Sequence, residues 1–206
     1  MPAPPDTLAT RVLAQDMDQI SVISLALAFG VLVLTALLAW PSILLWRRWR
    51  EHPSRVITRI SAHQLSDIVI PDGMDGEIHL DHLLLTVKGL LVLDLRNVNG
   101  LVFAGEQMDD WTVLHDNRRF TFRNPLNPLA ARVHAVQDLA GNVPVIGRIV
   151  FVGDVQFPAG HIPSVLTLTE LEDEYKAIGG EQAGSTIQAF HGSWGKVEQQ
   201  AHPAAQ

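Results

Sequence analysis

Residues 77–100 read EIHLDHLLLTVKGLLVLDLRNVNG. Two apolar runs flank Lys88-Gly89, and glycine supplies the positive φ that a tight turn between strands needs. Each run carries one acid, Asp81 in the first and Asp94 in the second, and Arg96 follows Asp94 by two positions. Residues two apart on a strand share a face, so Asp94 and Arg96 project together. Asp81 meets them if the two strands pair antiparallel. A carboxylate set among Leu83, Leu84, Leu85, Leu91, Val92 and Leu93 is costly to bury unless it is paired or metal-bound. Two outcomes follow. Asp81 and Asp94 can hold a hard divalent cation through oxygen. Alternatively, Asp94 and Arg96 can form an ion pair that leaves a folded domain without catalysis.

Outward from this hairpin the pattern alternates between strands and helices. Before it, residues 51–65 carry a weak helical stripe of Val56, Ile57, Ile60 and Leu65, with Pro53 suited to the first turn. Residues 67–71 read as a short strand, and DGMDG at 72–76 as a loop. After it, Asn99-Gly100 marks a turn. A third strand is expected at 101–104, and a second hairpin pairs 111–114 with 120–122. Residues 126–139 predict a helix with Leu129, Val133, Val136 and Leu139 on one face, its Pro128 tolerated in the first turn. RIVFVG at 148–153 predicts a buried strand, 165–168 another, and 171–178 a helix. The order predicts an α/β core: a mixed β-sheet with helices on its faces. Residues 179–206 read as a polar tail in which Ile187, Phe190 and Trp194 dock and the last ten residues are disordered.

The 206 residues contain no cysteine, which excludes disulfides and thiolate chemistry. The nine histidines form neither an HExxH nor an HxH pattern, and His79 and His82 fall on opposite faces of an unbroken strand. A net charge of −7 is not that of a nonspecific nucleic-acid binder; only Arg118, Arg119, Arg123 and Arg132 suggest a local basic patch.

Residues 20–40, ISVISLALAFGVLVLTALLAW, carry no charge, and the apolar character continues to Trp46. A run of this length spans a bilayer core as a helix. Asp16 and Asp18 precede it; Arg47, Arg48 and Arg50 follow. The positive-inside rule then places the N-terminus outside and the rest in the cytoplasm. The charge order is opposite to that of a cleaved signal peptide. The expected organisation is an extracytoplasmic tail (1–19), a single transmembrane helix in the lipid bilayer (20–46), a cytoplasmic domain (47–178) and the tail (179–206).

The run LDHLLLTVKGLLVLDLRNVNGLVFAG, then Trp111, then FRNPL at 122–126, resembles the nuclease-related domain (NERD) family, within the PD-(D/E)xK nuclease superfamily. The resemblance covers about residues 51–171. It implies a restriction-endonuclease-like sheet core and Mg²⁺- or Mn²⁺-dependent hydrolysis of DNA or RNA. Carried over, Asp81 is the metal-binding aspartate of the first strand and Asp94 the acid of (D/E)xK. Arg96 stands where the family has lysine. Glu51 is placed as the helix glutamate among the metal ligands, and Glu77, four before Asp81, is a further possible ligand. The departures are chemical. Arginine stays charged and cannot act as a base, though it can stabilise charge on phosphate. Asn127-Pro128 stands where the family has glutamine. A domain whose catalysis is lost, acting as a membrane-tethered binding module for nucleic acid or protein, is the second reading. A purely structural oligomerising membrane protein is the third.

Overall fold

The computed structural model describes residues 52–160, 162–176 and 181–204. The chain divides into two units, Met1–Arg50 and Glu51–Gln206. The expected membrane helix and Glu51 lie outside the described residues. Among the described residues no helix is long and apolar enough to cross a membrane.

Two sheets form. The first has six strands in the order β10-β1-β2-β3-β7-β9: His202–Pro203, His63–Pro71, Glu77–Thr86, Gly89–Asn97, Val145–Val152 and Val165–Thr167. The second has four, β6-β5-β4-β8: Arg118–Arg123, Asp110–His115, Gly100–Phe103 and Val155–Gln156. The expected single mixed sheet is therefore two, because the chain turns at Asn99-Gly100 and starts a new ladder. Four helices are described: α1 (Pro53–Ile60), α2 (Leu126–Ala140), α3 (Leu168–Lys176) and α4 (Glu181–Gln200).

β3 sits at the centre, antiparallel to β2 and parallel to β7. Its first six residues are all buried, which is why it reads as an unbroken apolar run instead of alternating. Its two faces feed two cores. Leu90 and Val92 join Leu83, Leu129, Val136, Trp111 and Trp194 beneath α2, α4 and the second sheet. Leu91 and Leu93 join Leu84, Val56, Ile57, Leu171 and Tyr175 beneath α1 and α3. Two glycines make the close approaches possible. Gly89 has φ +122°, and a Cβ there would collide with the Pro144 carbonyl. A Cβ on Gly147 would come within 2.7 Å of Val133, so α2 could not lie flat on β7.

The C-terminal segment departs from its expected disorder. α4 runs to Gln200, burying Trp194 and Val197, and β10 then pairs with β1 at Ile68 and Val69. Apolar residues at 187, 190, 194 and 197 recur at helical spacing and form a stripe, which the polar residues between them hide in composition. α4 and β10 cover one sheet edge that would otherwise present unpaired backbone groups.

Candidate functional site

β2 and β3 pair from Thr86↔Gly89 up to His82↔Leu93, and there the ladder stops. One further step would set Asp81 opposite Asp94. Beyond that point the strands part: β3 continues beside β7 to Asn97, while β2 continues beside β1 to Glu77. The parting coincides with a rotation of the outer pair. Leu80 and Leu83, three apart, both enter the same core, as do Ile68 and Leu65 opposite them. Strict alternation forbids this, so each strand gives up one step between those residues. On β1 the step falls at Asp67, whose φ is +53°.

Asp94 stands at the fork with 1% of its side chain exposed. Arg96 Nη2 donates to its Oδ2 at 2.8 Å, and Arg96 Nε lies 2.7 Å from Oδ1. The second contact is too bent to be a hydrogen bond, so it acts through charge alone. Arg132, from α2, donates through Nη1 to the same Oδ2 at 2.9 Å and through Nε to the His79 carbonyl at 2.8 Å. Arg132 thus spans the fork, tying the free backbone of β2 to the carboxylate of β3. Both oxygens of Asp94 face guanidinium groups.

Asp81 has different neighbours. Its Oδ1 lies 3.4 Å from His79 Nδ1, and His79 Nε2 lies 2.7 Å from Asp67 Oδ1. Asp67, His79 and Asp81 make an exposed acid–imidazole–acid chain across β1 and β2. His82 is bonded to the Ser66 hydroxyl through Nδ1 at 2.8 Å. Burial pushes its imidazole below its ordinary value, with Asp81 partly opposing.

A divalent cation needs several oxygen donors with free lone pairs. Asp94 is buried against two guanidinium groups, whose like charge opposes a further cation there. Glu77 is exposed at the start of β2, opposite Pro71. Among the described residues no group of three or more histidine, aspartate or glutamate side chains is arranged to hold a metal. Clefts of about 400 Å³, beside Leu129, Val133 and Gly147, and about 520 Å³, beside Glu106, Arg123 and Asn127, open next to α2. Neither is lined by Asp81, Asp94 or Arg96. Among the described residues the donor set, as arranged, does not fit a metal.

The remaining signature residues build the frame around this fork. Trp111 is fully buried and donates through Nε1 to the Gly105 carbonyl at 3.0 Å. Asn124, 6% exposed, donates to the Glu106 carbonyl at 3.2 Å and the Met108 carbonyl at 2.7 Å, and accepts from the Leu126 amide. Asn124 therefore closes the 105–109 loop and starts α2, the helix that carries Arg132. Residues 52–152 match the nuclease-related domain (NERD) family. The match runs from the residue before α1 to the end of β7, and so contains the fork, Trp111, Asn124 and Arg132. No curated protein and no solved structure matches the chain.

Within the matched segment, sequence reasoning found Asp94 and Arg96 and their shared face. It placed Arg132 only in a basic surface patch. A signal was present: Arg132 lies three residues after Leu129 and four before Val136, on the apolar stripe of α2. An arginine on a buried stripe calls for a buried partner.

Proposed function

We propose that this protein is a membrane-tethered nuclease-related module that works by binding and no longer hydrolyses phosphodiesters. One observation carries the reading: the acid of the (D/E)xK pattern, Asp94, is buried between Arg96 and Arg132. In a metal-dependent site that acid would hold the cation that activates water. Here its charge is already answered by protein, and Arg96 stays protonated and cannot replace the lysine as a base. Removing one arginine would leave a buried charge poorly compensated, so the arrangement is self-maintaining.

The apolar run at 20–46, with acids before it and arginines after it, supports anchorage in the bilayer with the module on the cytoplasmic side. On this reading the fork is an internal brace, and the module's partners meet it elsewhere on its surface.

The test is hydrolysis by the full-length protein in detergent, with single- and double-stranded DNA and RNA in Mg²⁺ and in Mn²⁺. No cleavage above that of an Asp94→Asn variant is expected. Metal-dependent cleavage that disappears in both Asp81→Asn and Asp94→Asn would restore the enzymatic reading.

A further inference from the structure

The second sheet has one face in the core and one face in solvent. Val102, Trp111 and Val113 point inward. Strand alternation puts the intervening residues on the outer face, and the register aligns them in rows. Leu101, Leu114 and Arg119 form one row. Phe103, Thr112 and Thr121 form the next, and Asp110 and Arg123 the third. A solvated face of this kind is ordinarily polar. Here Phe103 is 38% exposed and Leu114 39%. Arg119 and Arg123 are exposed too, and neither has an ion pair among the described residues.

We propose that the outer face of β4, β5 and β6 binds single-stranded nucleic acid, with Arg119 and Arg123 on the phosphates and Phe103 beneath a base. Arg119 and Arg123 are four residues apart on one strand, about 13 Å. They form a line of positive charge beside an accessible phenyl ring. Single strands are held by that pairing of a cationic track with aromatic platforms. A duplex keeps its base faces closed and would leave Phe103 and Leu114 without a role. An anionic bilayer is a plane, and Asp110, directly across from Arg123, would face it. A single strand is a line that runs along β6, beside Asp110 and not over it. Binding here needs no metal and no contact with Asp94. The inference rests on the binding-module reading only in supposing that a bound strand is not cut.

The experiment is fluorescence anisotropy of labelled mixed-sequence oligonucleotides with the full-length protein in neutral detergent and EDTA, across a salt series. The expected result is tighter binding of the single strand than of the same sequence as duplex. Arg119→Ser/Arg123→Ser should flatten the slope of log K against log salt by about 1.4, at 0.7 per lost phosphate contact. Phe103→Ala should weaken binding roughly 5- to 150-fold with the slope unchanged. All three residues are exposed, and matched melting curves will establish that the variants fold. A single-strand Kd weaker than about 100 µM at low salt, or binding indifferent to these substitutions, overturns the proposal. So does protection of the β5–β6 amides from exchange by phosphatidylserine nanodiscs but not by oligonucleotide. Cleavage of the bound strand once Mg²⁺ is added would sink the non-hydrolytic reading and leave this one standing.

Discussion

Arg132 and Asp94, thirty-eight positions apart, meet at 2.9 Å across the fork between β2 and β3. The same guanidinium also holds the His79 carbonyl, which the parted strands leave without a ladder partner there. One side chain thus answers a buried charge and a free backbone acceptor together.

Removing that side chain should be costly. Arg132→Gln keeps the bulk but deletes the charge, leaving Asp94 with Arg96 alone. Breaking a buried pair from one side typically costs about 3–5 kcal/mol. The remaining Arg96 should reduce this to roughly 3 kcal/mol, read as a shift in urea midpoint of the full-length protein. In a double-mutant cycle with Asp94→Asn, the two changes should be strongly non-additive. Additive losses would mean the contact contributes nothing specific.

Metal should leave the wild-type protein unmoved. A ligand that binds only the native state raises the melting temperature by mass action. Because Asp94 is occupied, Mg²⁺, Mn²⁺ and EDTA should give the same melt within error. Arg132→Gln should behave differently, gaining a Mn²⁺-dependent stabilisation that Asp94→Asn removes. Asp94-dependent stabilisation of the wild type by metal would contradict the ion-pair account.

Asn124→Ala should lose about 2–3 kcal/mol, because several loop carbonyls and the first amide of α2 are left without their partner. Asn124→Asp should not rescue it. Aspartate can accept from the Leu126 amide but has no N–H to give the carbonyls of Glu106 and Met108. Recovery of the wild-type melt by aspartate would show that the amide donors are unimportant.

His82 predicts a pH dependence. Burial lowers its folded pKa below that of the unfolded chain. The unfolded state therefore takes up the proton first, and the stability tied to neutral His82 is present above about pH 6.5 and lost as pH falls through the folded value. Unfolding free energy should decline as pH falls below about 6.5. A His82→Gln variant, able to keep the Ser66 hydroxyl bonded, should show a shallower decline. An unchanged slope would assign the effect to other groups.

Trp194→Ala should destabilise the domain by about 3–5 kcal/mol, since the indole is 1% exposed in the main core. A tail that merely trails the domain would tolerate the change, and melting of this variant separates the two cases.

The residues alone determined the local grammar. The β2–β3 hairpin follows from two apolar runs about Lys88-Gly89, and the side-by-side projection of Asp94 and Arg96 from the two-residue period of a strand. The start of α2 after Asn124-Pro125 follows equally from short-range chemistry. These depend on spacings of a few residues, which sequence displays directly. What Asp94 does was decided at long range. Only packing of α2 on β2 and β3 brings Arg132 to the carboxylate, and only the parting of the strands after His82 and Leu93 ends the ladder just short of an Asp81–Asp94 pair. The docking of α4 and β10 on β1 has the same character, since a weak apolar stripe acquires meaning only when a sheet edge is there to receive it. Charge and hydrogen-bonding partners are chosen by three-dimensional neighbours, and a chain written in one dimension does not list them.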